Sequence, residues 1–347
     1  MTDRLTPAEN PYLIGQDEAV KLFLQAYNSG TLHHGWLISG DEGIGKATFA
    51  YKIARFLLAA EAGKTYQSLD IDVKSSVFAQ VAQKSHPDFK VLERDYIETD
   101  KKKLIKAIQQ GETVDEDMKQ GLRRSAVIKV DDVREAVSFL MKKSFNDSWR
   151  VVIVDSTDDL NTSSANALLK ILEEPPAKSI LLLISHNAGN LLPTIRSRCA
   201  KLALKPLKNE DTASLLRRYM PELKEKEVQQ LAKISGGSIG RAMMYAENNA
   251  LEIFEMIQKI CYGGAKCDGA MLVELADIAA ADDDNWFLFS DLICRFARET
   301  LSEAPDLRDF YAAYEASLKI IDETNRLNMD RKLATLQILN LLGEKTR

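Results

Sequence analysis

Short apolar runs and helical repeats alternate through the middle of the chain. Residues 151–154 are all apolar and β-branched, Asp155 follows them, and a second apolar run occupies 180–184. Such runs are typical of strands that are buried on both faces of a parallel sheet. The segment between them has a helical repeat, made of Ala165, Leu168, Leu169 and Leu172. Strand, helix and strand in this order predict a crossover unit and therefore a parallel sheet.

The flanking segments extend this α/β pattern. Apolar runs predict further strands at 36–39, 89–92, 128–130 and about 202–204. Helical repeats predict helices at 17–27, 47–60 and 133–142. The central helix is expected to be capped by Thr162 or Ser163, and His86-Pro87-Asp88 indicates a turn at the entry to a strand. The charged segment 93–125 is expected to be a solvated loop, with DNA contact as the alternative.

The pattern changes to helices alone in the C-terminal third. From about residue 249 two apolar stripes recur at helical spacing: Trp286, Phe289, Ile293 and Phe296, and Met329, Leu333, Leu336 and Leu339. Such stripes predict helices that bury most of their apolar side chains internally and leave some for an interface.

Composition and charge narrow the functional classes. The chain has 347 residues, 45% of them hydrophobic and 28% charged, which is typical of a soluble protein with a sizeable core. It contains no apolar run near 18 residues and its N-terminus lacks a signal-peptide pattern, so we expect no membrane association and a cytoplasmic location. The net charge of −5 argues against a general electrostatic grip on nucleic acid and favours protein partners.

Metal binding is not expected. The cysteines are scattered, without a C-x-x-C pair: Cys199, Cys261, Cys267 and Cys294. Buried free thiols are the simplest interpretation. The adjacent His33 and His34 have no carboxylate or cysteine at ligand spacing.

A glycine-rich loop follows the strand at 36–39. Gly40, Gly43, Gly45 and Lys46 fit the G-x-x-x-x-G-K spacing of a phosphate loop, with a helix directly after it. Backbone N–H groups and the helix N-terminus would surround a phosphate, and Lys46 would supply a point charge. A working loop carries Ser or Thr at the next position to bind Mg²⁺, but this chain has Ala47. Thr48 comes one residue late, which turns its side chain about 100° away on a helix.

The most specific signal lies downstream, in the run SSANALLKILEEPP at 163–176 and the run TIRSRC at 194–199. With these motifs the chain resembles the clamp-loader branch of the AAA+ ATPases, and within it the delta-prime family of bacterial DNA polymerase III. The resemblance covers roughly residues 10–245. It implies an AAA+ P-loop core with a parallel sheet (1–205), a small helical lid (206–248) and an all-α collar that mediates oligomerisation (249–347). Many family members carry a four-cysteine zinc module between the nucleotide motifs. This chain has no cysteine between Lys46 and Asp155, so we expect no zinc.

The resemblance also assigns roles to single residues. Asp155 corresponds to the carboxylate that holds Mg²⁺, but Ser156 stands where active enzymes carry the glutamate that polarises the attacking water. Arg198 corresponds to an arginine finger that acts in trans on a neighbour's ATP, with a surface ion pair as the alternative and Arg196 as a weaker candidate. Arg241 lies in a sensor-2-like run and is expected either to face a phosphate or to pack within the lid.

The chain thus keeps the arginine that it would supply to a neighbouring subunit. It lacks the Mg²⁺-binding hydroxyl and the glutamate base that it would need to hydrolyse ATP itself. We therefore expect a non-motor clamp-loader subunit that neither hydrolyses ATP nor polymerises DNA alone, although it would belong to a polymerase holoenzyme. Its expected partners are tau/gamma and delta subunits in a hetero-oligomer, the sliding clamp, and primed DNA through the complex. No cofactor should be required, although weak ATP or ADP binding without hydrolysis is a further reading. The rival hypothesis is a self-sufficient AAA+ ATPase that uses Thr48 and Asp158 in an altered geometry.

Overall fold

The computed structural model describes residues 6–110, 122–142, 144, 148–263, 269–301 and 306–346. They divide into two compact units. The first contains residues up to 215 together with 237–240, and the second contains residues 216–236 and those from 241 onward. The expected boundaries at 205/206 and 248/249 remain a prediction.

The first unit is built on a parallel five-stranded sheet in the order β2-β3-β4-β1-β5. The strands are β1 (Gly35–Ser39), β2 (Phe89–Glu93), β3 (Arg150–Asp155), β4 (Ser179–Ser185) and β5 (Ala200–Ala203). The predicted strand–helix–strand unit is confirmed, since β3 and β4 pair directly and in parallel, with Ile153 opposite Leu182. This order leaves β1, and the loop after it, between β4 and β5.

Helices cover both faces of this sheet. The helices in this part of the chain are α1 (Asp17–Asn28), α2 (Lys46–Ala59), α3 (Ser76–Ala82), α4 (Glu98–Gln109), α5 (Val130–Met141), α6 (Thr162–Glu173) and α7 (Pro193–Arg196). Val151 and Ile153 pack in one core with α1 and α2, whereas Val152 and Val154 pack in the other with α5 and α6. Burial on both sides explains why the run 151–154 contains no polar residue.

Three local expectations were wrong. Residues 128–130 form no strand: Ile128 makes a single bridge to Leu160, and α5 already begins at Val130. The cap of α6 is Asn161, whose side chain accepts a hydrogen bond from the backbone N–H of Ser164. The charged segment is not simply a loop, because α4 occupies 98–109; its residues 111–121 lie outside the described part.

The helices of the remaining chain are α8 (Asn209–Tyr219), α9 (Glu225–Ile234), α10 (Ile239–Glu247), α11 (Ala250–Gly263), α12 (Gly269–Ala280), α13 (Asp283–Thr300), α14 (Leu307–Leu327) and α15 (Arg331–Lys345). The predicted stripe on α13 is buried along its whole length. The second predicted stripe is only partly right: Leu339 is buried, but Met329 and Leu333 are exposed. Here α15 buries a different face, including Ala334 and Ile338. Among the described helices none is long and apolar enough to span a bilayer.

Candidate functional site

The phosphate-type loop lies between β1 and α2, where the sequence predicts it. Gly40, Gly43 and Gly45 all have positive φ angles, and Gly45 (φ 99°) is the N-cap of α2. A Cβ at Gly40 would come within 2.7 Å of both the Ile44 side chain and the carbonyl oxygen of Leu204. Both conformation and space therefore require glycine in this loop.

Lys46 is turned back onto this loop. Its buried Nζ donates hydrogen bonds to the carbonyl oxygens of Gly40 at 2.7 Å and of Asp41 at 2.5 Å. Burial lowers the pKa of Lys46 to about 8, against the attraction of Glu42 and other acidic groups, Asp155 among them. The ammonium group that would meet a phosphate is thus already bound by loop carbonyls.

The segment 237–240, which belongs to the first unit, is hydrogen-bonded to this loop. The Ser238 hydroxyl donates to the carbonyl oxygen of Glu42 at 2.8 Å, and the backbone N–H of Gly240 donates to that of Gly43 at 3.0 Å. A Cβ at Gly240 would lie 2.9 Å from the Cα of Gly43, so the two backbones are in close contact. Two carbonyls of the loop are therefore tied to the segment 237–240.

The polar side chains at and after the end of β3 interact with neighbouring protein groups. Burial, and next the nearby charge of Glu93, raise the pKa of Asp155. Ser156 is buried and its hydroxyl donates to Asp158 at 3.4 Å. Asp158 also accepts from the backbone N–H groups of His186 at 2.6 Å and Asn187 at 3.2 Å. Its carboxylate therefore anchors the loop after β4, a role that the sequence did not reveal because the partners are 28 and 29 residues away.

These residues do not fit Mg²⁺-ATP as a working phosphate loop would. Ala47 has no hydroxyl for the metal, and the buried Thr48 does not replace it because it occupies another face of α2. Across the described ranges, no group of three or more His, Cys, Asp or Glu side chains could hold a metal. The thiols of Cys199 and Cys261 are buried and Cys294 is half-buried; Cys267 lies outside the described residues.

Arg198 lies at the surface between α7 and β5. Its NH2 group is 2.9 Å from a carboxylate oxygen of Glu173, and its NH1 group donates to the carbonyl oxygen of Thr194 at 3.0 Å. Its side chain is 37% exposed. The neighbouring Arg196 instead donates to the carbonyl oxygen of Ala188 at 3.4 Å. The surface ion pair considered for Arg198 is thus present, and the guanidinium remains accessible.

Arg241 belongs to the second unit and forms an ion pair and a hydrogen bond there. Its Nε lies 3.0 Å from Asp291, which also accepts from the hydroxyl of Tyr245 at 2.5 Å. Its NH1 group donates to the carbonyl oxygen of Ser235 at 3.3 Å. The structure thus brings Gly40, Gly43, Gly45, Lys46 and Asp155 together in the first unit and joins Arg241 to a polar network in the second.

Sequence reasoning missed a cavity near the phosphate-type loop. It has a volume of about 620 Å³ and is lined by residues 13–19, 203, 205, 206, 208 and 211. Gln16 connects its two walls, because its side chain donates to the carbonyl oxygen of Lys205 at 2.8 Å and accepts from the backbone N–H of that residue at 3.3 Å. Gly15 has a φ of 75°, and a Cβ there would lie 2.7 Å from Leu207. The sequence feature that could have indicated this cavity is the run Ile14-Gly15-Gln16, in which the glycine has a positive φ and the glutamine bonds to Lys205.

The buried amine predicts a pH dependence that can be tested with Lys46→Met. The pKa of Lys46 falls from an ordinary 10.5 to about 8 on folding, so the unfolded chain binds more protons between these pH values. The free energy of unfolding should therefore rise with pH across that window, relative to a variant without the amine. Urea unfolding at pH 7.5 and 9.5 should show wild type gaining stability over Lys46→Met. An equal difference at both pH values would contradict the predicted titration.

The sheet order, the glycine loop at the end of β1 and the crossover helices together define an α/β P-loop core of the AAA+ class, followed by helical segments. The family model described as DNA polymerase III, delta subunit, matches residues 15–208. The chain belongs to this family. Together with the relatives described next, this match confirms the resemblance to the delta-prime family of bacterial DNA polymerase III.

Individual relatives agree with the family. The delta' subunit of DNA polymerase III from Pseudomonas aeruginosa is 34% identical over 210 residues, which are 59% of this chain and 53% of that protein. The gamma subunit from Buchnera aphidicola (subsp. Schizaphis graminum) is 27% identical over 240 residues, 68% of this chain and 57% of that protein. The chain thus spans about half the length of the curated relatives it matches.

Among solved structures, a DNA polymerase III gamma subunit-related protein from Thermotoga maritima aligns with 94% of this chain and 100% of its own, at 18% identity and a TM-score of 0.42. A score this low does not establish a common fold, so the assignment rests on the sheet, the loop and the family match.

Proposed function

We propose that this chain is a non-motor subunit of a DNA polymerase III clamp loader, which helps to place the sliding clamp on primed DNA. In this proposal it assembles with tau/gamma and delta subunits and donates Arg198 in trans to a neighbouring ATP site. The observation that carries the proposal is a contrast. Arg198 is presented at the surface, whereas the chain's own loop has Ala47 in place of the Mg²⁺ ligand and Lys46 bound to loop carbonyls.

The rival hypothesis, a self-sufficient ATPase, is disfavoured by the contacts of the residues that it needs. Thr48 is buried, and Asp158 accepts hydrogen bonds from two backbone amides and two hydroxyls. These four contacts hold the carboxylate against the loop after β4, so it is not free to orient an attacking water. In this proposal the chain requires neither a nucleotide nor zinc of its own, although the glycine loop remains compatible with weak ATP or ADP binding.

The rest of the chain has proposed roles within the same complex. Residues 206–248 would act as a lid and residues 249–347 as the collar that joins the hetero-oligomer. The exposed apolar side chains of Met329 and Leu333 agree with an interface on the collar. The net charge of −5 agrees with DNA contact made through the complex rather than by this chain alone.

The isolated chain should show no steady ATP turnover. Ala47→Thr alone should stay within about twofold of the background rate, because Ser156 still supplies no base at neutral pH. Phosphate release by the purified chain with Mg²⁺-ATP measures this, and the ATPase partner subunits serve as the positive control. Steady turnover by the wild-type chain alone would overturn the non-motor assignment.

Assembly tests the larger proposal. The chain should co-elute with tau/gamma and delta subunits from the same source, and a mixture that lacks it should load fewer clamps on primed DNA. Failure to join the complex, or full loading without the chain, would contradict the proposal.

A further inference from the structure

The environment of Arg198 contains an acidic residue with no assigned role. Glu173 is the last residue of α6, and its carboxylate lies 2.9 Å from the NH2 group of Arg198. The carbonyl oxygen of Thr194 accepts from the NH1 group at 3.0 Å. A guanidinium has five N–H donors, and the hydrogen bond to Thr194 uses only one of them, while the ion pair with Glu173 adds a directional attraction.

The position of Glu173 is electrostatically unfavourable for the helix itself. A negative charge in the last turn faces the negative end of the helix dipole, where a cation would be preferred. The Arg198 guanidinium offsets this repulsion, because it lies within ion-pair distance of that carboxylate. The contact thus gives a physical reason for an acidic residue at the end of α6.

The backbone that carries Glu173 is held in place from two sides. The ring Nε2 of His34 donates to the carbonyl oxygen of the preceding Leu172 at 2.9 Å, and the N–H of Glu174 donates to that of Lys170 at 3.1 Å. His34 directly precedes β1, so the end of α6 is tied to the central sheet. Glu173 therefore extends from a fixed point, although its own side chain is 50% exposed.

We propose that Glu173 is a positioning residue for Arg198. It restricts the flexible arginine to one direction, from which the remaining N–H donors point outward to a phosphate of a neighbouring subunit. The inference rests on the proposed function, since it concerns how the donated arginine is held. It does not require Glu173 to touch the nucleotide.

The test uses the reconstituted loader with clamp and primed DNA, and measures kcat and KM for ATP. Glu173→Ala should lower kcat by about threefold to tenfold, because a less directed arginine reaches its position less often. The KM for ATP should change by less than about twofold, because ATP is bound by the neighbour. Glu173→Gln keeps an acceptor and should recover part of the loss, and Glu174→Ala is the matched control on the adjacent exposed residue.

A double-mutant cycle separates positioning from a general structural effect. In an Arg198→Ala background, Glu173→Ala should cause no further loss, because the residue that it positions is gone. An equal loss in both backgrounds would overturn the inference. A wild-type or higher rate for Glu173→Ala would also overturn it, since Glu173 would then be neutral or would restrain Arg198 from reaching the phosphate.

The same measurements keep the two proposals apart. If Arg198→Ala lowers turnover and Glu173→Ala does not, the arginine finger stands and the positioning role fails. If Arg198→Ala itself has no effect in an intact complex, the proposed function fails first. Size-exclusion chromatography of each variant complex confirms that assembly is unchanged.

Discussion

Arg198→Ala is expected to lower the ATP turnover of the reconstituted loader, with clamp and primed DNA, by tenfold or more. An arginine supplied in trans offsets the charge that builds on the transferred phosphoryl group, and such fingers contribute about 10³- to 10⁵-fold in rate. Tenfold corresponds to about 1.4 kcal/mol of lost transition-state stabilisation, which is a conservative lower limit. Arg198→Lys should restore little, since an ammonium lacks the planar, bidentate geometry of a guanidinium.

Two matched variants control for the loss of an arginine as such. Arg217→Ala removes an exposed arginine of the second unit that pairs with Glu225 at 2.7 Å. Arg196→Ala removes the weaker candidate two positions away. Both should retain turnover within about twofold, because neither supplies charge to the reacting phosphate. Unchanged turnover with Arg198→Ala in a fully assembled complex would show that this residue has a structural role. The chain would then contribute to assembly of the complex but not to catalysis.

The strands and the glycine loop were predictable because their signals are local. A strand that is buried on both faces has no polar position, and 151–154 shows this without knowledge of its neighbours. The left-handed conformations in the loop require glycine at fixed spacing, which Gly40, Gly43 and Gly45 provide. The absence of a hydroxyl at Ala47 is equally local.

The partners of the site residues were not predictable, because they are distant in sequence. Arg198 pairs with Glu173, and Arg241 pairs with Asp291. Neither pair follows from spacing, since it depends on how helices and strands pack. Helix α4 was missed for a related reason: acidic residues in its first turn, Glu98 and Asp100, favour a helix start, but its apolar content is low.

Asp88→Ala is expected to destabilise the first unit by about 3 kcal/mol or more, which is typical when one partner of a buried ion pair is removed. The Asp88 side chain is 3% exposed and lies 3.2 Å from the Nε of Arg150, whose side chain is 12% exposed. The Ser148 hydroxyl donates to the same carboxylate at 3.1 Å.

The predicted turn at 86–88 is confirmed, as the N–H of Phe89 donates to the carbonyl oxygen of His86 at 3.1 Å. Asp88 thus joins the entry of β2 to the start of β3.

Thermal unfolding followed by circular dichroism tests this role. At about 2–4 °C per kcal/mol for a unit of this size, Asp88→Ala should lower the Tm by about 6 °C or more. Glu135→Ala, which breaks the exposed pair with Lys90 at 2.6 Å, should change it little. Adding Arg150→Met should recover much of the loss, because the buried charge that faced Asp88 is then gone and the methionine can pack near Phe139. Equal Tm values for the Asp88 and Glu135 variants would show that the buried pair does not hold β2 to β3.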